Sequence, residues 1–385
     1  MTDPLTGLRV LDLSRVLSGP FAGRLLADLG ADVVKVEPPE GDVTRRWGKV
    51  QAGRSGFYFQ QNVGKRGLCV DLKAPGGAEV VLRLAAAADV LIENFRPGVL
   101  DRLGLPWSRL HESNPRLVAL SISGFGATGP DRDRPAYAPV VQAETGLVRR
   151  QADLDGHRPV DLVYSLADTT ASLHGLIAVL AALRQRDRTG LGQHIDLAML
   201  DALLATDDYV HHAVDGSPLV RLGGEVWSTA GGDLMLAGEL KYVWHQLHTV
   251  HGLADPTPPG ADLDTKIRCR RAAIAGWFAR FTDRPAVIAA LDAANIAWGD
   301  VADQRDVVRG PQATARGAVA TVADGGGGER DVVQSPYRFS AATSGARGPA
   351  PAKGEHTHEV LSEWCAMDDH EVAALVASGV LLSGK

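Results

Sequence analysis

The chain has 385 residues, of which 45% are hydrophobic, and its formal net charge is −6 at pH 7. A chain of this length and apolar content can bury a core in one large domain and one smaller domain, which argues against a disordered protein. The slightly acidic balance provides no overall positive field, so we do not expect nucleic acid as a partner.

The cysteines and the N-terminal segment indicate the cellular compartment. Cys69, Cys269 and Cys365 are widely separated and form neither a disulfide framework nor a pair of C-x-x-C metal motifs. The N-terminal "MTDPLTGLRVLDLS" carries an acid and a proline where a signal peptide needs a basic patch and an apolar core. No uninterrupted apolar stretch reaches membrane-spanning length. We therefore expect a cytoplasmic protein with no metal and no membrane partner.

The predicted elements of the first half alternate between strand and helix. Short β-rich runs predict strands at residues 8–14, 32–39, 67–73, 89–95 and 116–126. Apolar residues at helical spacing predict helices at residues 19–31, 75–88 and 168–187. Because alternating strands and helices are typical of a parallel, doubly wound sheet, the sequence predicts an α/β fold.

The pattern weakens after the large domain predicted at residues 1–205. Residues 225–320 combine short strands with two or three helical stretches, which predicts a smaller α+β domain beyond a linker at 206–224. Residues 321–385 begin with turn-rich segments and are predicted as a return linker.

Asp168 is the single carboxylate in "SLADTTASLHGLIAVLAAL", residues 165–183. Its place at the head of a helix has a structural interpretation, in which the side chain caps the helix and interacts with its dipole. Spacing alone favours that interpretation. However, the chain contains no G-x-S-x-G motif and Cys69 lies in an apolar strand, so a carboxylate is the best candidate for covalent chemistry.

Two further motifs suggest other functions. "GFGATG", residues 124–129, matches G-x-G-x-x-G after a strand, but the "PDRDRPAY" that follows cannot open the helix that a dinucleotide site needs. A nicotinamide-dependent oxidoreductase therefore stays an alternative. His245, His248 and His251 stand three apart, and a histidine-bearing helix surface is favoured over a zinc site.

Five longer segments carry a family resemblance. They are "PLTGLRVLDLSRVLSGPFAGRLLADLGADVVKVEPPEGD" (4–42), "NVGKRGLCVDLK" (62–73), "DVLIENFRPGVLDRLGL" (89–105), "SGFGATGPDRDRPAYAPVVQAETG" (123–146) and "RTGLGQHIDLAMLDA" (188–202). Together they resemble the class III (CaiB/BaiF-type) coenzyme A transferases, a family that includes formyl-CoA transferase, carnitine CoA-transferase and α-methylacyl-CoA racemase. The resemblance is strong over residues 4–205 and returns at 335–361.

The resemblance implies a fold and a reaction. The fold is a large Rossmann-like CoA-binding domain built from both chain ends, so that the C-terminal part of 321–385 joins it, in an interlocked-ring homodimer. The substrates are an acyl-CoA and a small carboxylic acid, and no metal takes part. Asp168 is the implied nucleophile, kept ionised by the helix N-terminus, and it forms an aspartyl anhydride and then an aspartyl-CoA thioester.

The family's contacts to coenzyme A map onto four segments and one further arginine. They are Val16, Leu17 and Ser18; Val70, Asp71, Leu72 and Lys73; Asn94, Phe95 and Arg96; Arg102; and Pro135, Ala136, Tyr137 and Ala138. Lys73, Arg96 and Arg102 supply cations for the phosphates, and the backbone near Leu72 supplies an adenine slot.

The chain departs from the family at two places. The racemase branch uses a His–Asp pair where this chain has Tyr137 and Ala138, and tyrosine is a poor base at neutral pH, so an acyl-CoA racemase or isomerase is a disfavoured alternative. Residues 212–226 form a shorter segment than in the family, which predicts a substrate pocket that is either unusually open or built differently. A non-catalytic CoA-binding protein is favoured only if Asp168 is buried and fully capped.

Overall fold

The computed structural model describes residues 2–219 and 223–382. The strands in these ranges are, in chain order, β1 (Arg9–Asp12), β2 (Asp32–Glu37), β3 (Val50–Gln51), β4 (Arg54–Ser55), β5 (Arg66–Val70), β6 (Val90–Glu93), β7 (Val118–Ser123), β8 (His194–Ala198), β9 (Glu225–Thr229), β10 (Gly232–Leu236), β11 (Trp298–Asp300), β12 (Val319–Ala323), β13 (Glu329–Val333) and β14 (Leu381–Leu382).

The helices of the same ranges follow in chain order, and a 3₁₀ helix spans Val43–Arg46. They are α1 (Ser18–Asp28), α2 (Gly56–Asn62), α3 (Gly77–Ala87), α4 (Val99–Arg102), α5 (Trp107–Ser113), α6 (Ala138–Glu144), α7 (Leu147–Asp155), α8 (Leu166–Thr189), α9 (Met199–Thr206), α10 (His211–Asp215), α11 (Leu240–His251), α12 (Leu263–Phe278), α13 (Arg284–Ala293), α14 (Gln304–Val307), α15 (Pro311–Ala315), α16 (Thr357–Cys365) and α17 (Asp369–Ala377).

The chain divides into two compact units. The larger unit comprises Met1–Val210 and Thr314–Lys385, and the smaller comprises His211–Ala313. These bounds differ from the predicted ones because α10 lies inside the predicted linker 206–224 and β12, which pairs with β13, begins before residue 321. Residues 220–222 of that linker lie outside the described residues.

A seven-stranded sheet forms the frame of the larger unit. Its strand order is β14-β5-β2-β1-β6-β7-β8, and all neighbouring strands run parallel except β14, which is antiparallel to β5. The C-terminal segment therefore completes the sheet that the N-terminal segment begins. The predicted α/β fold with a large parallel sheet is confirmed.

Alternate residues of the parallel strands enter two separate cores. In β6, Leu91 packs into the core that α3, α5, α16 and α17 cover, whereas Val90 and Ile92 pack into the core that α1, α6, α8 and α9 cover. Strands buried on both faces need helices on both faces, which explains their nearly continuous apolar sequences. Functional side chains are thereby left to the loops at the carboxyl ends of the strands.

Helix α8 is the central helix of the second of these cores. Gly175 lies so close to β7 that a Cβ atom there would stand 2.8 Å from Leu120 Cδ2, so glycine permits the close contact of helix and sheet. By length and hydropathy α8 could also cross a membrane, which the sequence analysis did not expect, but half of that stretch is buried inside the fold. A mostly apolar core helix passes the same test.

The smaller unit is a three-stranded antiparallel sheet with helices. Its strand order is β11-β10-β9, and α11, α12 and α13 contribute to its aromatic core, which includes Trp227, Trp244 and Phe278. Of the three spaced histidines, the ring of His248 bonds to a backbone carbonyl at 2.7 Å and that of His251 to another at 2.8 Å. These bonds give the two rings structural roles in α11.

Candidate active site

The carboxyl group of Asp168 faces two other helices instead of capping its own. Asp168 is the third residue of α8, whose N-cap residue is Ser165. The hydroxyl and N–H of Ser18 and the N–H of Ala138 face its carboxyl group closely enough to lower its pKa. The capping interpretation therefore does not describe this side chain, and the condition that favoured a non-catalytic protein is not met.

Three helix N-termini converge on this carboxyl group. Ser18 is the first residue of α1, Ala138 is the first residue of α6, and Asp168 lies in the first turn of α8. The N–H groups of a first turn have no partner within their helix and carry partial positive charge, so they are free to bind an anion. The partial positive charges of the three helix N-termini thus add up at the position of the Asp168 carboxyl group.

Hydrogen bonds between α1 and α8 fix Ser18 relative to Asp168. The hydroxyl of Ser172, one turn after Asp168, lies 2.6 Å from the carbonyl oxygen of Ser18 and 2.7 Å from that of Asp168. Asn94 donates from Nδ2 to Ser18 Oγ at 3.0 Å, which leaves the hydroxyl proton of Ser18 directed to another acceptor. The Ser18 hydroxyl also lowers the pKa of Asp168, as a donor that faces this carboxyl group does.

Burial raises the pKa of Asp168 to about 6, although the hydrogen bonds from Ser18 and Ala138 act in the opposite direction. Desolvation therefore outweighs the donors, and the pKa of Asp168 lies above its ordinary value. At pH 7 the ionised form still exceeds the protonated form by about ten to one. The carboxylate is therefore less strongly solvated than a surface acid, yet charged at neutral pH.

A cavity of about 160 Å³ opens beside Asp168. The predicted site residues that line it are Val16, Ser18, Asn94, Phe95, Arg96, Pro135, Ala136 and Tyr137. They follow strands β1, β6 and β7 and so lie at the carboxyl edge of the parallel sheet. The structure thus brings together three of the four segments that the sequence analysis assigned to coenzyme A.

The other predicted contacts lie outside this lining. Asp71, Leu72 and Lys73 follow β5, at the same edge of the sheet but two strands beyond β1, and Arg102 ends α4. Val70 is 0% exposed and packs in the core, so its predicted contact with coenzyme A is not supported. Leu17 is also buried, and buried Ala138 contacts Asp168 through its N–H instead.

Arginine side chains make the cavity electropositive. Arg15 and Arg96 line it without an ion-pair partner in the part of the chain that the structure describes. Arg132 and Arg134 also line it, and Arg134 bonds to Glu144 at 2.6 Å. Three of these residues, Arg15, Arg132 and Arg134, were not predicted from the sequence. Arg15 adjoins the predicted Val16, and the other two stand in the "PDRDRPAY" segment, so proximity to predicted residues was the available signal.

A second hollow of about 360 Å³ adjoins the first and shares the wall formed by Phe95, Arg96 and Arg132. It contains Glu93, whose pKa burial raises to about 7, and His194, whose pKa burial lowers. The two hollows together give the site more length than a small acid alone would need.

Two N–H groups of the glycine-rich "GFGATG" segment already donate to side chains of the same unit. The N–H of Gly126 donates to Ser123 Oγ at 3.0 Å, and the N–H of Ala127 donates to both carboxylate oxygens of Asp196 at 3.2 and 3.0 Å. An acid thus holds the N–H group that a dinucleotide pyrophosphate would need, and the next helix begins only at Ala138. The structure therefore does not favour the oxidoreductase alternative.

Comparisons with known proteins agree with the resemblance of the sequence. A model of the family described as CoA-transferase family III matches residues 5–357. Succinate–glutarate CoA-transferase of Agrobacterium fabrum is 35% identical over 384 residues, which cover 94% of this chain and 95% of that protein. Formyl-CoA:oxalate CoA-transferase of Streptomyces avermitilis is 33% identical over 99% of this chain and 100% of its own.

A solved structure extends the agreement to the fold. The crystal structure of a CaiB/BaiF family protein from Brucella suis superposes with a TM-score of 0.80 at 31% identity, covering 94% of this chain and 100% of that one. The predicted family and the predicted class of enzyme, a CoA-transferase, are confirmed.

Proposed function

Because the chain belongs to CoA-transferase family III, we propose that it transfers coenzyme A from an acyl-CoA thioester to a small carboxylic acid, with Asp168 as the nucleophile. The observation that carries this proposal is the carboxylate at the meeting point of three helix N-termini, beside a cavity lined by arginines. A partly desolvated carboxylate that stays ionised is a competent nucleophile without a general base.

The first half of the reaction loads coenzyme A onto the enzyme. A carboxylate oxygen of Asp168 attacks the thioester carbonyl carbon, the carbon–sulfur bond breaks, and the thiolate of coenzyme A leaves a mixed anhydride behind. The thiolate then attacks Cγ of Asp168 and breaks the bond between Cγ and the bridging oxygen. The donor acid departs as a carboxylate, and Asp168 becomes an aspartyl-CoA thioester.

The second half reverses these steps with the acceptor. The carboxylate of the acceptor attacks Cγ of Asp168, which releases the thiolate and forms a new anhydride. The thiolate attacks the acceptor's carbonyl carbon, so the new acyl-CoA leaves and Asp168 returns as a carboxylate. No proton is gained or lost over the cycle, so the attack by Asp168 needs no general base.

The N–H groups of Ser18 and Ala138 stabilise the charge that develops on Asp168. When the thiolate attacks Cγ of the anhydride, the carbonyl oxygen on Cγ takes up the negative charge of the thiolate, and the donors that face Asp168 lie beside it. Preorganised donors of this kind are worth about 3 kcal/mol each in the transition state. This contribution is strongest where water is excluded, as in this half-buried position.

We propose a small dicarboxylic acid as one substrate. The relatives described above are named for succinate, glutarate and oxalate, which all carry two carboxylates. One carboxylate of such an acid reacts at Asp168, and the other needs a cation within the cavity. Of the arginines that line the cavity, Arg15 is nearest in sequence to Ser18 and is proposed for this role. Arg96 is then left for coenzyme A.

The exposed face of α8 supports a proposed homodimer. Leu173, Ile177 and Leu180 follow one another at helical spacing on this face and are 44%, 62% and 37% exposed. Large apolar side chains in a row commonly mark an interface with another protein. An interlocked second copy covers this face in our proposal.

The proposed nucleophile is tested by comparing Asp168→Asn with Asp161→Asn, a matched change of an exposed acid in the preceding loop. We expect the Asp168→Asn protein to fold and to transfer coenzyme A several orders of magnitude more slowly, while Asp161→Asn keeps the parental rate. An Asp168→Asn enzyme with more than about a tenth of the parental rate, a barrier change under about 1.4 kcal/mol, would show that another group attacks.

A further inference from the structure

The turn from Ser14 to Ser18, which presents the donors of Ser18, has a strained backbone at Val16. The φ angle of Val16 is +68°, in the left-handed region. A β-branched side chain rarely adopts this conformation because its Cβ substituents crowd the backbone. Such a conformation persists only where the surrounding structure imposes it, and it is often found at functional sites.

A buried ion pair holds this residue in place. The N–H of Val16 donates to Oδ2 of Asp42 at 3.1 Å. The ammonium group of Lys35 lies 3.3 Å from the same oxygen and also donates to the carbonyl oxygen of Ser14. Lys35 and Asp42 are 0% and 5% exposed, so water competes little for these bonds. The pair thus bonds to the turn on both sides of Arg15.

Asp42 is itself fixed by a second element. It caps the 3₁₀ helix Val43–Arg46, because its Oδ1 accepts from the N–H of Thr44 at 3.0 Å and from the hydroxyl of Thr44 at 2.8 Å. The carboxylate therefore bridges the 3₁₀ helix and the Ser14–Ser18 turn. Its position cannot change without moving one of the two.

Asn94 holds the opposite side of the turn. Its Oδ1 accepts from the N–H of Arg15 at 2.8 Å, and its Nδ2 donates to the carbonyl oxygen of Arg15 at 2.7 Å. Asn94 thus fixes Arg15 on one side of Val16, while Asp42 binds the N–H of Val16 itself.

We infer that the Lys35–Asp42 pair is a positioning device that keeps Val16 in its strained conformation and thereby aims the hydroxyl and N–H of Ser18 at Asp168. The inference rests on the proposed function, since it takes Asp168 as the nucleophile. A buried ion pair alone contributes little net stability compared with apolar residues of similar size. The contribution of the Lys35–Asp42 pair is instead the set of hydrogen bonds that it makes to the Ser14–Ser18 turn.

The test measures how the rate of adduct formation between Asp168 and an acyl-CoA depends on pH, using rapid mixing with succinyl-CoA and intact mass from pH 5 to 9. The rate rises with pH as Asp168 ionises, and this rise is the acid limb of the profile. Donors to the ionised form lower the pKa of Asp168, so losing them moves the acid limb to higher pH. We expect Asp42→Asn to move the acid limb to higher pH by about half a unit or more. The maximal rate of adduct formation at high pH should fall about tenfold. Ser18→Ala, which removes one donor directly, is expected to raise the limb as well.

Controls separate positioning from general destabilisation. Asp28→Asn breaks another buried pair, Arg24–Asp28 at 2.7 Å, which bonds to none of the turn residues, and is expected to keep the parental limb. The charged cavity residues that remain unchanged in every variant are Arg15, Arg96, Arg132 and Arg134. If Asp42→Asn does not fold, Asp42→Glu keeps the charge opposite Lys35 but displaces the carboxylate by one methylene, and the same upward shift is expected.

The outcomes distinguish this inference from the proposed function. A parent protein that forms no adduct at Asp168 overturns both. The positioning role alone is overturned if the parent protein forms the adduct and Ser18→Ala moves the acid limb to higher pH, while the folded Asp42 variant keeps the acid limb of the parent. An equal shift in Asp28→Asn would also overturn it, because the effect would then follow from any buried pair.

Discussion

The hydroxyl and N–H of Ser18, the first residue of α1, both face the carboxyl group of Asp168 in the first turn of α8 and lower its pKa. This relationship joins the first βα connection of the sheet to a helix from the middle of the chain. It gives the carboxylate hydrogen bonds that substitute for part of its lost hydration, and it leaves the rest of the desolvation cost uncompensated.

The uncompensated cost predicts that Asp168 destabilises the folded protein at neutral pH. Its pKa is about 6 in the fold and 3.8 in a model compound, so the folded state binds the proton more tightly. The stability that Asp168 contributes is therefore greatest below pH 3.8, falls as pH rises to 6, and stays low above it. We expect Asp168→Asn to be more stable than the parent by up to about 3 kcal/mol at pH 8.

Denaturant unfolding of both proteins between pH 4 and 8 checks this expectation. The difference in unfolding free energy should narrow toward pH 4, where the parental carboxyl group is protonated. An Asn variant that is less stable than the parent at pH 8 would mean that Asp168 serves stability instead of reactivity.

Three cations are expected to hold the phosphates of coenzyme A. Replacing Lys73, Arg96 or Arg102 by alanine should weaken coenzyme A binding by about 2 kcal/mol for each lost charge-assisted hydrogen bond. Calorimetric titration with coenzyme A measures the change. Arg83→Ala is the matched control, since Arg83 lies on the exposed side of α3 and pairs with Glu371. A variant that binds as tightly as this control carries no phosphate contact.

Arg15 is expected to select acids with two carboxylates. The Arg15→Gln enzyme should show a KM for succinate raised about tenfold or more, because a charge-assisted bond to the distal carboxylate is lost. The KM for butyrate, which has the same chain length and one carboxylate, should change little. Equal increases for the two acids would assign Arg15 to coenzyme A or to the fold instead.

The assembly prediction concerns the apolar face of α8. If two chains interlock, each dimer buries more than roughly 5,000 Å² and a folded monomer does not accumulate on dilution. Sedimentation velocity over a hundredfold range of concentration should then give one dimeric species. A folded monomer at any concentration is incompatible with interlocked rings.

Local sequence patterns located the frame of the site but not its donors. The βα periodicity was sufficient for the parallel sheet, and therefore for the edge at which residues 16–18 and 94–96 meet. The family resemblance singled out Asp168. The convergence of three helix starts was not predictable, because it depends on how α6 and α8 pack across the same core as α1. No spacing along the chain encodes that contact.

Two features of the site depend on long-range packing. Val70 was assigned to coenzyme A as a residue near the end of a strand, but its side chain is 0% exposed and lies in the core that α3 and α16 cover. Asp42 was overlooked because it follows a proline-rich strand end with no motif of its own. Only the folded chain places its carboxylate against the N–H of Val16.

The central claim is that Asp168 forms a covalent bond with the acyl donor. The most direct measurement incubates the protein with succinyl-CoA, adds hydroxylamine to trap the activated carboxyl group, and maps the modified peptide by mass spectrometry. The account predicts a hydroxamate on Asp168 in the parent and an unmodified peptide in Asp168→Asn. A hydroxamate on another acid, or coenzyme A turnover by a parent protein whose Asp168 peptide stays unmodified, would contradict it.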